Sequence, residues 1–247
     1  MRKIAALLFA CMAVTAAQAQ LNGDETINYT LSLGFINAGK ASLVTEQTMY
    51  NGTEAYSVSL TAATNKVADK IYRIRDTLTA TISPQEEPLH FWKHSYEGDD
   101  IVRETAEFSK SGGKYRGILE KHYKDGTTRA CDTICEMPVY DMVSITIFAR
   151  HLDITGREPG DRFHFELADA GMVEKETLIY LGRQKMKISG TQYNCLAFSV
   201  AQPSDNDDSS SDNELLKIYV SDDEQRIPVG LDIGLPFGKA KARIANR

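Results

Sequence analysis

Long apolar runs, a basic excess and every familiar catalytic signature are missing from the body of this 247-residue chain. No segment after the N-terminal stretch approaches the roughly eighteen consecutive apolar residues that a membrane-spanning helix needs, so no transmembrane segment is expected there. Lys and Arg number 28 against 34 Asp and Glu, a net charge of −6. That balance argues against nucleic acid, whose phosphates require a basic stripe to displace counterions, and against anionic lipid surfaces. A nucleophile elbow, a Walker loop, a dinucleotide fingerprint and a zincin helix are all absent, so no catalytic residue set, cofactor or metal is predicted.

What is present begins with an export signal. Arg2 and Lys3 form a positive start, Ile4 to Val14 an apolar core, and Ala17-Gln18-Ala19 a small-x-small cleavage site. Residues 1–19 therefore read as a signal peptide and residues 20–247 as a single β-rich domain in the periplasm or outside the cell. The exported chain then carries 26 basic and 34 acidic residues. Leu8-Phe9-Ala10-Cys11 loosely resembles a lipoprotein cleavage box, but almost no apolar sequence precedes it and more follows, so simple cleavage is preferred to lipid anchoring at Cys11.

Three cysteines remain after cleavage, Cys131, Cys135 and Cys195. In an exported chain an odd count allows at most one bridge. Cys131 and Cys135 on a straight strand stand about 13 Å apart, beyond bridging range, so a bond between them needs a turn through Asp132-Thr133-Ile134. One disulfide among the three is expected, against the alternative of three buried thiols. His90 and His94 would be equally far apart on a strand, and metal ligation is disfavoured. Asp76-Thr77-Leu78 and Asp132-Thr133-Ile134 match the Asp-Ser/Thr-apolar acceptor of bacterial envelope O-glycosylation, which marks Thr77 and Thr133, although chance alone supplies about one such match.

Period-two alternation dominates the chain. Ile27, Tyr29, Leu31 and Leu33 share one face and Thr26, Asn28, Thr30 and Ser32 the other, the pattern of a half-buried strand. Lys40 to Met49 and Glu54 to Ala63 repeat it around Asn51-Gly52, a strong hairpin signal. Further strands are expected at Ile71–Ile82, Leu89–Tyr96, Ile101–Ser109, Lys114–Tyr123, Thr127–Thr133, Arg162–Ala168, Lys175–Leu181, Gln184–Ile188, Tyr193–Ala201, Leu215–Val220, Val229–Ile233 and Lys239–Ile244. Between Pro138 and Asp153 the spacing predicts the one substantial helix, over residues 139–152, with Asp141 as its N-cap and Arg150 and His151 in its last turn. The fold class is mainly β: a strongly curved antiparallel sheet, or a barrel-like one, with a central helix that could divide it into two halves near residues 138–153. Pro203 to Asn213 carries no apolar residue and reads as a solvated loop.

Three stretches resemble the domain of unknown function 3108 family: Gly34-Phe35-Ile36-Asn37-Ala38-Gly39-Lys40-Ala41, Val139-Tyr140-Asp141-Met142-Val143-Ser144 with Arg150, and Leu216-Lys217-Ile218-Tyr219-Val220-Ser221-Asp222-Asp223 running into Arg226-Ile227-Pro228-Val229. The resemblance implies an exported bacterial protein of β architecture and no stated activity. The C-terminal stretch also resembles lipoprotein-carrier domains, in which a sheet curls around an apolar cavity. From this come the functional expectations. The first is a non-catalytic module binding a lipid or other amphiphile, with Phe91 and Trp92 as candidate cavity lining. The second is a structural component of the envelope that acts through a protein partner, and an envelope hydrolase ranks third.

Overall fold

The computed structural model describes residue 21 and residues 23–97, 100–203, 213–235 and 238–245. The expected signal peptide, Cys11 and most of the acidic loop lie outside them.

Alternation in sequence becomes alternation in burial. In β1 (Glu25–Leu33), Ile27 and Tyr29 are buried while Thr26, Asn28 and Thr30 are exposed. β2 (Ile36–Tyr50), β3 (Thr53–Thr64), β4 (Ile74–Ile82), β5 (Pro88–Glu97), β6 (Asp100–Ser111), β7 (Lys114–His122) and β8 (Thr128–Cys135) follow as an antiparallel meander. Asn51 and Gly52 both take positive φ, as the tight turn between β2 and β3 requires. The chain then crosses to the far margin of the same sheet, where β9 (Val139–Tyr140) lies parallel to β10 (Arg162–Asp169) on either side, in sequence, of α1 (Ser144–His151). β11 (Met172–Ile188), β12 (Thr191–Gln202), β13 (Asn213–Ser221), β14 (Pro228–Leu235) and β15 (Gly238–Ile244) wind back until β15 pairs with β1. One 15-stranded sheet results, with the first and last strands adjacent at its middle.

The sheet curls until its margins nearly meet. Ala170 N donates to Glu104 Oε2 at 2.9 Å across that seam. Glu104 is buried, and its other oxygen is 3.3 Å from Lys121 Nζ and 3.6 Å from Lys93 Nζ. Two cations beside one carboxylate offset the cost of taking it out of water. At Gly171 a methyl group would stand 3.1 Å from Lys121 Cβ and 3.2 Å from the Arg129 carbonyl oxygen, so the β10–β11 turn lies directly on β7 and β8.

The helix sits between the two halves. Val143 and Ile147 belong to the core built by Val58, Leu78 and Phe91, and Ile145 and Ala149 to the one built by Leu178, Phe198 and Ile218. α1 is buried from Ser144 to Ile147 and again at Ala149 and Arg150, polar residues included, as a helix packed on more than one side must be. Its start is later than the periodicity predicts, because Val139 and Tyr140 pair with Glu166 and Leu167 instead of coiling. Asp141 does cap it. Its Oδ1 accepts from Val143 N at 2.8 Å and Ser144 N at 3.0 Å, and Ser144 Oγ accepts from Asp141 N at 2.9 Å.

Three other expectations change. β4 starts at Ile74, since Ala68–Lys70 forms a one-turn 3-10 helix in which the Ala68 carbonyl accepts from Ile71 N and Tyr72 N. The two segments expected at 175–181 and 184–188 are one strand, β11, with a bulge between Tyr180 and Gly182. The expected disulfide is not formed: Cys131 and Cys135 lie on straight β8 with no turn between them, and Cys195 is a separate buried thiol on β12. Among the described residues no helix is long and apolar enough to cross a membrane.

Candidate functional site

The last turn of α1 points to the margin where the sheet closes. Phe148, His151 and Leu152 line a cleft of about 470 Å³ there, together with the β4–β5 turn, the β6–β7 hairpin and Pro138–Tyr140. Its aromatic side consists of Phe108, Tyr115, Tyr140 and Phe148. Tyr140 stacks at a tilt on Phe148, with ring centres 5.0 Å apart, and meets Phe165 edge-on at 5.9 Å. Burial pushes the Tyr140 phenol well above its ordinary range, and the charges of Glu86 and Glu87 add to this, so it stays neutral.

The polar side starts from Ser83. Its Oγ accepts from Gln85 N at 3.2 Å and Glu87 N at 3.1 Å, which folds the β4–β5 turn and holds Glu86 at φ 64°. Glu86 Oε1 then contacts His151 Nδ1, and the His151 side chain is only 4% exposed. His151 Nε2 is buried in the cleft wall without a hydrogen-bond partner among the described residues. At the mouth, Lys110 Nζ bonds Glu87 Oε1 at 2.5 Å and stands 5.3 Å from the Tyr115 ring centre, while Arg116 makes paired bonds of 2.8 and 2.6 Å to Asp132. The cleft thus combines aromatic rings with a buried imidazole and a half-buried carboxylate, a lining suited to holding a molecule with one apolar and one polar end.

An ion pair braces this helix. Arg150 bonds Glu25 through both terminal nitrogens, one bond measuring 2.9 Å, and reaches the Gln225 carbonyl at 3.0 Å. Tyr29 beside it donates to the Pro228 carbonyl at 2.8 Å. β1, α1 and the β13–β14 turn are held together in this way.

The residues singled out in the sequence fall elsewhere. Phe91 is 3% exposed and fills the core, whereas Trp92 points outward, edge-on to His94; neither lines this cleft. His90 stacks on Tyr50 and lies 3.8 Å from Glu107, and His94 contacts Trp92 and Tyr96. Among the described residues no group of His, Cys, Asp and Glu could hold a metal ion. Thr77 and His94 border a second, open groove of about 520 Å³ on the outside of β2–β5. Thr133 is half-buried on β8, on the face shared by Cys131 and Cys135. The cleft escaped sequence reasoning because its walls come from four distant segments. The one available signal, His151 in the last turn of a helix, has a sufficient explanation in the helix dipole alone.

The family described as "Protein of unknown function (DUF3108)" matches residues 28–245. The chain belongs to the DUF3108 family. Among solved structures, this DUF3108 protein is similar to the beta-barrel-like protein of domain of unknown function DUF1849 from Brucella abortus, with a TM-score of 0.58 at 13% identity. The match covers 92% of this chain and 98% of that one, which supports the barrel-like fold and nothing finer. Among curated proteins no match is found.

Proposed function

We propose that this DUF3108 protein is a non-catalytic binding module of the cell envelope that holds a lipid or other amphiphile in the α1 cleft. The observation that carries the reading is His151 Nε2, a buried polar atom without a hydrogen-bond partner among the described residues, set in a cleft where Phe108, Tyr115, Tyr140 and Phe148 supply the aromatic lining and Glu86, Glu87, Lys110 and Arg116 the charged one. Leaving such an atom unpaired costs about 1–3 kcal/mol, which a polar headgroup would recover on binding. A volume of about 470 Å³ suits a single short amphiphile. The ligand sits at the end of the sheet, because α1 occupies the middle.

The second reading, an assembly component acting on an envelope protein partner, draws on the interior, where α1 packs into both cores. Native mass spectrometry of gently purified protein separates the two. A bound amphiphile, lost in the Phe148→Ala variant and weakened in His151→Ala, is the expected result. A bare chain, together with cleft resonances unmoved by titration with a medium-chain fatty acid, would remove the binding reading.

A further inference from the structure

At the opposite end of the sheet from the cleft, four large apolar residues stand in solvent. Phe35, at the tip of the β1–β2 hairpin, is fully exposed, and Ile36 beside it is 48% exposed. Val67 and Ile71, four apart on the 3-10 turn between β3 and β4, are 63% and 62% exposed on its outer side. The two segments form one surface. Asn65 Nδ2 donates to the Asn37 carbonyl at 2.7 Å and Asn65 N to the Ala38 carbonyl at 2.8 Å, so the turn is pinned to the first residues of β2. Asn65 Oδ1 also accepts from Val67 N and Ala68 N at 2.9 and 3.0 Å, which fixes the turn itself.

The charge around these residues reverses that of the chain. Residues 33–40 and 64–75 contain Lys40, Lys66, Lys70, Arg73 and Arg75 and a single acid, Asp69. Asp69 is held by Arg75, with bonds of 3.0 and 2.7 Å, and its carboxyl lies below its ordinary range because of that guanidinium. Lys40, Lys66, Lys70 and Arg73 are exposed around the apolar tips. Asp100 in the next turn, β5–β6, bounds the patch on that side. The net acidity that argues against anionic lipid for the whole chain is reversed on these two segments.

We infer that this rim docks on an anionic phospholipid bilayer, with Phe35, Ile36, Val67 and Ile71 entering the acyl boundary and the surrounding cations meeting the headgroups. The patch is a pair of protruding tips, which a fluid bilayer accommodates without a matching pocket. Apolar side chains ringed by Lys and Arg are the pattern of interfacial binding, where buried area and headgroup attraction add. The inference is independent of what the α1 cleft holds.

The test reads the local environment of residue 35, so that attachment through any other part of the full chain does not count. In a Trp92→Phe background, Phe35→Trp supplies the fluorophore and Ile134→Trp, on β8, the control. Vesicles contain equal parts phosphatidylcholine and phosphatidylglycerol. The tryptophan at 35 shifts to the blue and is quenched by brominated lipid, and the one at 134 is not. Adding Val67→Ser with Ile71→Ser, or Lys66→Glu with Lys70→Glu, weakens the response about tenfold; all four residues are exposed, so the fold is kept. Emission at 35 that ignores vesicles, or quenching equal at 35 and 134, overturns the inference. So does a dimer in sedimentation that Phe35→Ser dissolves, since a second copy would then cover the patch.

Discussion

The two halves of the sheet follow the same meander and bury their residues differently. In β6, Val102, Glu104 and Ala106 are buried while Arg103 and Glu107 are exposed and Thr105 is half-buried. In β12 every residue from Cys195 to Ala201 is buried. The difference lies in side-chain size. Leu196, Phe198 and Val200 take the face toward α1, and Cys195, Ala197, Ser199 and Ala201, on the other, are small enough to be covered by cross-strand neighbours such as Tyr219 and Lys217. The first half packs on one side and leaves a polar surface, whereas the second packs on both. Equal topology therefore does not mean equal tolerance to substitution.

The largest expected effect tests that contrast directly. Phe198 is fully buried between β12 and the helix, and Phe198→Ala should cost about 3–5 kcal/mol in denaturant unfolding. Trp92→Ala, on the outer side of β5, should cost less than about 1 kcal/mol despite removing the larger ring. Equal costs would mean that the outer side of the first half is covered in solution.

The second effect concerns buried acids. Glu104, in the first half, lies between two lysines, whereas Glu176 on β11 is 2% exposed and its Oε2 has no hydrogen-bond partner among the described residues. Burial, then the charge of Glu174, pushes the Glu176 carboxyl up from 4.5 to about 7. Because the folded state holds the proton more tightly, this contribution is complete below about pH 4.5 and is lost as pH rises to about 7. The loss is on the order of 3 kcal/mol. Glu176→Gln should match the parent at low pH and exceed it above pH 7, with the difference growing across that window. A pH-independent difference would show that the carboxylate finds a partner in solution.

A third, smaller effect probes the tight face of β12. Ala197→Leu forces extra volume against Tyr219 and should cost about 1–3 kcal/mol, whereas Thr105→Leu, on the outer face of β6, should change stability by no more than about 0.5 kcal/mol.

The same contrast explains what could be read from the sequence. β1 to β8 were legible almost strand by strand, because one face is wet and alternation reports it, and Asn51-Gly52 set a register. Alternation says which residues share a face but not which face turns inward when both carry aromatics, so Phe91 and Trp92 were indistinguishable. In the second half alternation was masked by small buried residues, and the bulge before Gly182 made one strand look like two. Asp141 was legible as a cap because its partners are local. Glu86 with His151 and Glu25 with Arg150 were not, because no local rule links residues brought together only by closure of the sheet.

The smallest expected effect is on the cysteines, one margin of the first half against the middle of the second. Burial, reinforced by Glu166, pushes the Cys135 thiol up to about 12, and burial with Asp222 and Asp223 pushes Cys195 up to about 11. Only the thiolate alkylates readily, so both should resist iodoacetamide at pH 8, and half-buried Cys131 should be the first of the three to react. Peptide mapping with and without denaturant reads this position by position. Because no bridge links them, a phosphine reductant should leave the midpoint of thermal unfolding unchanged. If Cys131 were blocked to alkylation and opened only by reductant, with a lower midpoint, β8 would be tied to another part of the molecule, and the margin that closes the sheet would owe its position to a covalent bond and not to Glu104 and its lysines.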